Sequence, residues 1–143
     1  MSTTSNPWYQ APASQLGVEG CTLILLHKEG EQRLYGRGVG DLYRVLCREP
    51  HLLRGSRVAD KVVGKGAAAL MILGGVERLY TPLISRSALT LLEESPVEVI
   101  YEECVEQIIN RTQTDQCPVE KRCMKCRTAE ECLTEIEAFI NSK

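Results

Sequence analysis

Hydrophobic and polar positions in this chain fall into short blocks, and one block differs from the rest. Residues 67–73, AAALMIL, are apolar without a break. A helix built from them is apolar on every face and must be covered all round. The charge of this region comes earlier, at Asp60, Lys61 and Lys65. Read as one helix over residues 58–75 (VADKVVGKGAAALMILGG), the stretch puts Asp60, Lys61, Gly64 and Lys65 on one arc of roughly 140°. Gly74-Gly75 closes it.

The other blocks surround that helix. Residues 21–27, CTLILLH, form an apolar run suited to a buried strand, and a Gly-bearing turn leads to an alternating second strand at 32–37. GRGVG (residues 36–40) reads as a tight corner. Asp41 then caps a helix, LYRVLCRE, with Leu42, Val45 and Leu46 on one side and Pro50 as its stop. Past the central helix, residues 77–84 (ERLYTPLI) predict a third strand. Ser85 caps a helix, SRSALTLLEES, with Ala88, Leu89 and Leu92 inward. Residues 97–101 (VEVIY) predict a fourth strand and 103–111 a short helix. The order β-β-α-α-β-α-β-α predicts a three-layer α/β/α sandwich with a mixed sheet over residues 20–112. Residues 1–19, rich in Ser, Thr, Pro and Gln, read as a mobile leader that Trp8 and Tyr9 could anchor. Residues 113–143 read as a Cys-rich tail ending in a helix.

Composition narrows the function classes. The chain has 143 residues and a formal net charge of −2, which suits one domain and gives no general attraction to nucleic acid or anionic membrane. No apolar run reaches the length of a membrane span, and no leader of the secretory type stands at the N-terminus. A cytoplasmic protein is expected, with a homo-oligomer left open. Seven cysteines in a reducing compartment suggest metal, redox chemistry or free thiols before a disulfide framework.

Two groups of residues carry candidate chemistry. Lysines at a helix N-terminus oppose the macrodipole, so Lys61 and Lys65 imply an anion, from protein or ligand, close by. Gly64 and Gly66 each cost about 1 kcal/mol against Ala within a helix, and close approach of a partner would explain them. Asp60, Lys61, Gly64, Lys65, Gly66 and Ser85 are therefore candidate residues for a small anionic or nucleotide-like ligand, with Lys65, Asp60 and Cys117 the candidates for any reaction. The alternative is that the glycines serve packing and Lys65 pairs with Asp60 or Glu94. In the second group, Cys117, Cys123, Cys126 and Cys132 are spaced C-x5-C-x2-C-x5-C, and four thiolates would satisfy zinc or an iron–sulfur cluster. Thr128-x-x-Glu131 is a capping box, so Cys132 falls one turn into the last helix, whose Leu133, Ile136 and Ile140 form a stripe.

RGSRVADKVVGKGAAALMILGGV, LYTPLIS and CPVE together resemble the family called domain of unknown function 1893, over about residues 20–120. The order of elements resembles the cytidine deaminase-like fold. That resemblance implies a deaminase-like scaffold without an assigned reaction. Zinc deaminases carry H-x-E and P-C-x-x-C at two helix starts. Here Val63-Gly64-Lys65 and residues 84–88 (ISRSA) would stand in those places, so zinc-dependent deamination of that type is not expected. The chemistry thus divides between an anion-binding pocket at the central helix and a redox- or metal-responsive cysteine cluster.

Overall fold

Alternation along the strands decides which side of the sheet each residue serves. In the computed structural model, which describes residues 8–28, 30–36, 39–108 and 118–142, strand β1 (Leu23–His27) sends Leu23 and Leu25 into the main core and Ile24 into a second, smaller cluster. It pairs antiparallel with β2 (Gly30–Leu34) on one side and with β3 (Arg57–Asp60) on the other. Strands β4 (Arg78–Ser85) and β5 (Glu98–Val105) continue the sheet parallel to β3, giving the order β2-β1-β3-β4-β5. Val58 and Leu79 face the main core beside Leu25, while Ala59 and Tyr80 face the smaller cluster. The protein is an α/β structure with a five-stranded mixed sheet.

Five helices share the main core: α2 (Gly40–Arg48), α3 (Lys65–Gly74), α4 (Arg86–Glu93), α5 (Pro118–Cys123) and α6 (Ala129–Asn141). The all-round apolar pattern of α3 is answered by contacts with α2, α4, α5 and α6. Gly75, at φ +80°, ends it in the left-handed conformation, with the N–H groups of Gly75 and Val76 turned back to Ile72 and Met71. The far face of the sheet is covered, among the described residues, by α1 (Gln10–Gln15) with Trp8 and Tyr9. Tyr9 stacks on Tyr80 at 4.9 Å and 6°. From Trp8 onward, the stretch expected to be a mobile leader therefore packs on the sheet.

Four features differ from the sequence reading. Residues 58–60 belong to β3 and the central helix begins at Lys65. Val58 and Ala59 alternate between two apolar clusters, and Val63 bridges to Ile84 beside the sheet. Pairing with β1 and β4 on both sides fixes Arg57–Asp60 as a strand. The helix expected over 103–111 is instead the end of β5, where Glu103 pairs with Leu83 and Val105 with Ser85, and residues 109–111 lie outside the described residues. Asp41 is not the cap of α2. It sits in the first turn and accepts from the Gly36 N–H at 2.7 Å and from Arg44 at 2.9 Å. Finally, α5 and α6 are part of the same core as the sheet, rather than an appended tail.

Candidate functional site

The parallel strands β3 and β4 end on one side of the sheet, where α3 and α4 begin. Gly64 precedes α3 in extended conformation and offers no side chain to cap it. The free N–H of Lys65 donates instead to Oε1 of Glu120, a residue 2% exposed that arrives from α5. The other oxygen of Glu120 accepts from the Ser87 hydroxyl at 3.3 Å. Ser85 caps α4 as expected, its hydroxyl accepting from Ala88 N–H at 3.2 Å, and lies 3.3 Å from the Ser87 hydroxyl. A carboxylate there gains from the dipole of α3. The anion implied by the sequence is thus present, and the chain itself supplies it.

This arrangement explains both glycines. A Cβ on Gly64 would stand 2.8 Å from Glu120 Oε1, and one on Gly66 would stand 2.6 Å from Val119 Cγ1. The close approach they permit is that of α5. Sequence reasoning missed Glu120, which sits in the CPVE segment beside charged Lys121 and Arg122 and carries no periodic signal of burial.

The charged residues of 60–65 are spread apart, because strand, link and helix point them in different directions. Asp60 is 9% exposed at the end of β3. Burial pushes its carboxyl up to about 7, against hydrogen bonds from the N–H groups of Val62 and Lys61 that favour the ionised form. Lys61 is exposed on the link. Lys65 is nine-tenths buried, and its Nζ donates to the carbonyls of Cys126 and, at 3.4 Å, Met124. Neither Asp60 nor Glu94 pairs with it. Asp60, Lys61, Gly64 and Lys65 therefore share no helical arc.

The carbonyls that hold Lys65 lie in the segment that gathers the cysteines. Cys123 ends α5, and the Cys126 N–H turns back to the Cys123 carbonyl at 3.0 Å. Thr128 caps α6 by accepting from Glu131 N–H at 3.1 Å, while Glu131 reaches back to Arg127 N–H at 2.7 Å. That expected capping box sets Cys132 one turn into α6. The sulfurs of Cys123, Cys126 and Cys132 all lie within 4.8 Å of one another. Cys123 and Cys132 are fully buried and Cys126 half-buried. Cys117, the fourth candidate, lies outside the described residues.

Without a metal Cys126 and Cys132 hold their protons. Burial, with Cys132 nearby, pushes Cys126 up to about 11, while the Lys65 charge opposes the shift. A hydrogen bond to Cys123, then burial, raises Cys132 well above the ordinary thiol range. A cleft of about 410 Å³ opens beside Cys126, lined also by Arg122, Lys125, Glu131, Thr134 and Glu135. The remaining described cysteines stand elsewhere: Cys21 against the far face of the sheet, Cys47 on α2 and Cys104 on β5.

No described helix is long and apolar enough to cross a membrane. No curated protein matches this chain. A crystal structure of a DUF1893 family protein, TM1506 from Thermotoga maritima, superposes with a TM-score of 0.80. The match covers 90% of this chain and 87% of that one at 22% sequence identity, a likeness of fold. The family described as domain of unknown function (DUF1893) matches residues 13–140. That span takes in the whole sheet, α3 and all three clustered cysteines, beyond the 20–120 read from the sequence. This chain therefore belongs to the DUF1893 family.

Proposed function

We propose that the protein holds one thiophilic metal ion on Cys123, Cys126 and Cys132 and acts as a metal-responsive module. The observation that carries this reading is the mutual approach of three sulfurs to within 4.8 Å. Around a tetrahedral zinc with bonds of about 2.3 Å, thiolate sulfurs stand about 3.8 Å apart, so a small inward adjustment completes the geometry. In a cubane iron–sulfur cluster each thiolate binds a different iron, which spreads the sulfurs farther. The tight group favours a single ion, and three soft donors favour zinc or a zinc-like metal over magnesium or calcium. Binding would exchange the thiol protons for the ion and fasten α5, the link and α6 together. A reducing, cytoplasmic setting would keep the thiols available.

The anionic-ligand reading at the start of α3 has less support. Glu120 fills the N–H site and Lys65 is spent on carbonyls, which leaves exposed Lys61. The scaffold itself we read as deaminase-like. Val63-Gly64-Lys65 and residues 84–88 stand where its zinc ligands would be, so no deamination of that kind is expected.

The test uses the full chain purified under reductant without oxygen. Elemental analysis should find close to one zinc per chain, and Co²⁺ should give thiolate-to-metal charge-transfer bands. Cys126→Ser and Cys132→Ser should each abolish those bands. Metal-free protein in which every thiol reacts freely with a thiol reagent, and which takes up no Co²⁺, would reject the site.

A further inference from the structure

We propose that Lys65 supplies the buried positive charge required by a divalent ion on Cys123, Cys126 and Cys132, making it a positioning residue of the metal centre. This rests on the metal-site reading and adds to it a residue and a rule of charge. Lys65 is nine-tenths buried, and an ammonium removed from water needs a nearby anion to repay its lost hydration. Among the described residues no carboxylate forms an ion pair with its Nζ. Its Nζ donates to two neutral carbonyls, those of Met124 and Cys126. The oxygens of Glu120 accept from the Lys65 N–H and the Ser87 hydroxyl, not from the ammonium.

The charge that Lys65 lacks is the charge that metal binding creates. A metal ion on three cysteines is bound by three thiolates, and a divalent ion neutralises two of their charges. One negative charge remains inside the protein, and the lysine offsets it. A monovalent ion would leave two negative charges against one lysine, so the arrangement favours a divalent ion. Lys65 is also held by the loop that carries Cys126, since it grips that residue's own carbonyl. Arg122 and Lys125 cannot replace it, because they are exposed and water screens their fields.

The experiment measures Zn²⁺ affinity of the full chain by competition with a chromophoric chelator. The variants are K65M, K65R and K65Q, with thermal melting of each metal-free protein as a parallel readout. K65M and K65Q should weaken Zn²⁺ binding about tenfold or more, since a charge-assisted contact in a buried site is lost. K65R should keep affinity within about threefold, because the charge remains. The Co²⁺ charge-transfer bands should persist in K65R and weaken in K65M. Equal Zn²⁺ affinity in wild type and folded K65M overturns the proposal. Should K65M not fold, K65Q, which keeps a donor without charge, decides by the same comparison. Loss of fold in both overturns it too, because Lys65 then serves the fold. A wild type that binds no Zn²⁺ rejects the metal site itself rather than the role of Lys65 within it.

Discussion

Replacing Glu120 tests whether the start of α3 depends on a carboxylate carried by α5. Glu120→Ala removes the acceptor for the Lys65 N–H and the Ser87 hydroxyl. Hydrogen bonds to a charged group contribute about 1.5–3 kcal/mol each, and the helix dipole adds up to about 2 kcal/mol in a partly buried setting. Against these stands the hydration lost in burying the carboxylate, several kcal/mol. The balance is a loss of about 3 kcal/mol, or about 10 °C in Tm for a domain of this size. Glu120→Gln keeps the volume and one carbonyl acceptor, so about half that loss is expected. A companion change sharpens the test. Gly64→Ala brings a Cβ to 2.8 Å from Oε1 in the wild type, but in the Glu120→Ala background it has room. The two changes should be non-additive by about 1 kcal/mol. Thermal melting and urea denaturation of reduced, metal-free protein measure wild type, both Glu120 variants, Gly64→Ala and the double variant. A Tm within about 2 °C of wild type for Glu120→Ala, or strict additivity with Gly64→Ala, would refute the reasoning.

Other outcomes follow from the same contacts. The folded protein holds the Asp60 proton up to about pH 7 while the unfolded chain releases it near 3.8, the ordinary aspartate value; stability should therefore fall as pH rises between these values, and Asp60→Asn should flatten that slope in urea titrations from pH 4 to 8. Gly66→Ala should destabilise by about 1–3 kcal/mol through the Val119 contact, although helix propensity alone predicts a gain of about 1 kcal/mol; a raised Tm would show that α5 yields. Ser85→Ala should cost about 1 kcal/mol as a lost cap, read from the same denaturation curves, and no change would deny the cap its weight.

Local signals in the sequence were those that depend on near neighbours. The Ser85 and Thr128 caps and the burial of residues 67–71 follow from short-range pattern, and the structure has all three. Residues 58–60 misled because Val-Ala-Asp before a link fits either a helix start or a strand, and pairing with β1 and β4 decides it. The spacing of Cys123, Cys126 and Cys132 showed a cluster because a turn and a capped helix fix the distances locally. Glu120 and the fate of Lys65 depend on packing between α5 and α3, and one residue between charged neighbours carries no trace of that contact.

The bond from Glu120 to Lys65 spans 55 residues, and α6 packs on α3 beside it. In order of synthesis, the central helix is made well before the segment that braces it. At about 5–20 residues per second, several seconds separate the two. During that interval Gly64, Gly66 and the apolar flank of α3 face solvent, a surface suited to chaperones and to self-association. A nascent chain arrested before Pro118 would keep that flank of α3 uncovered.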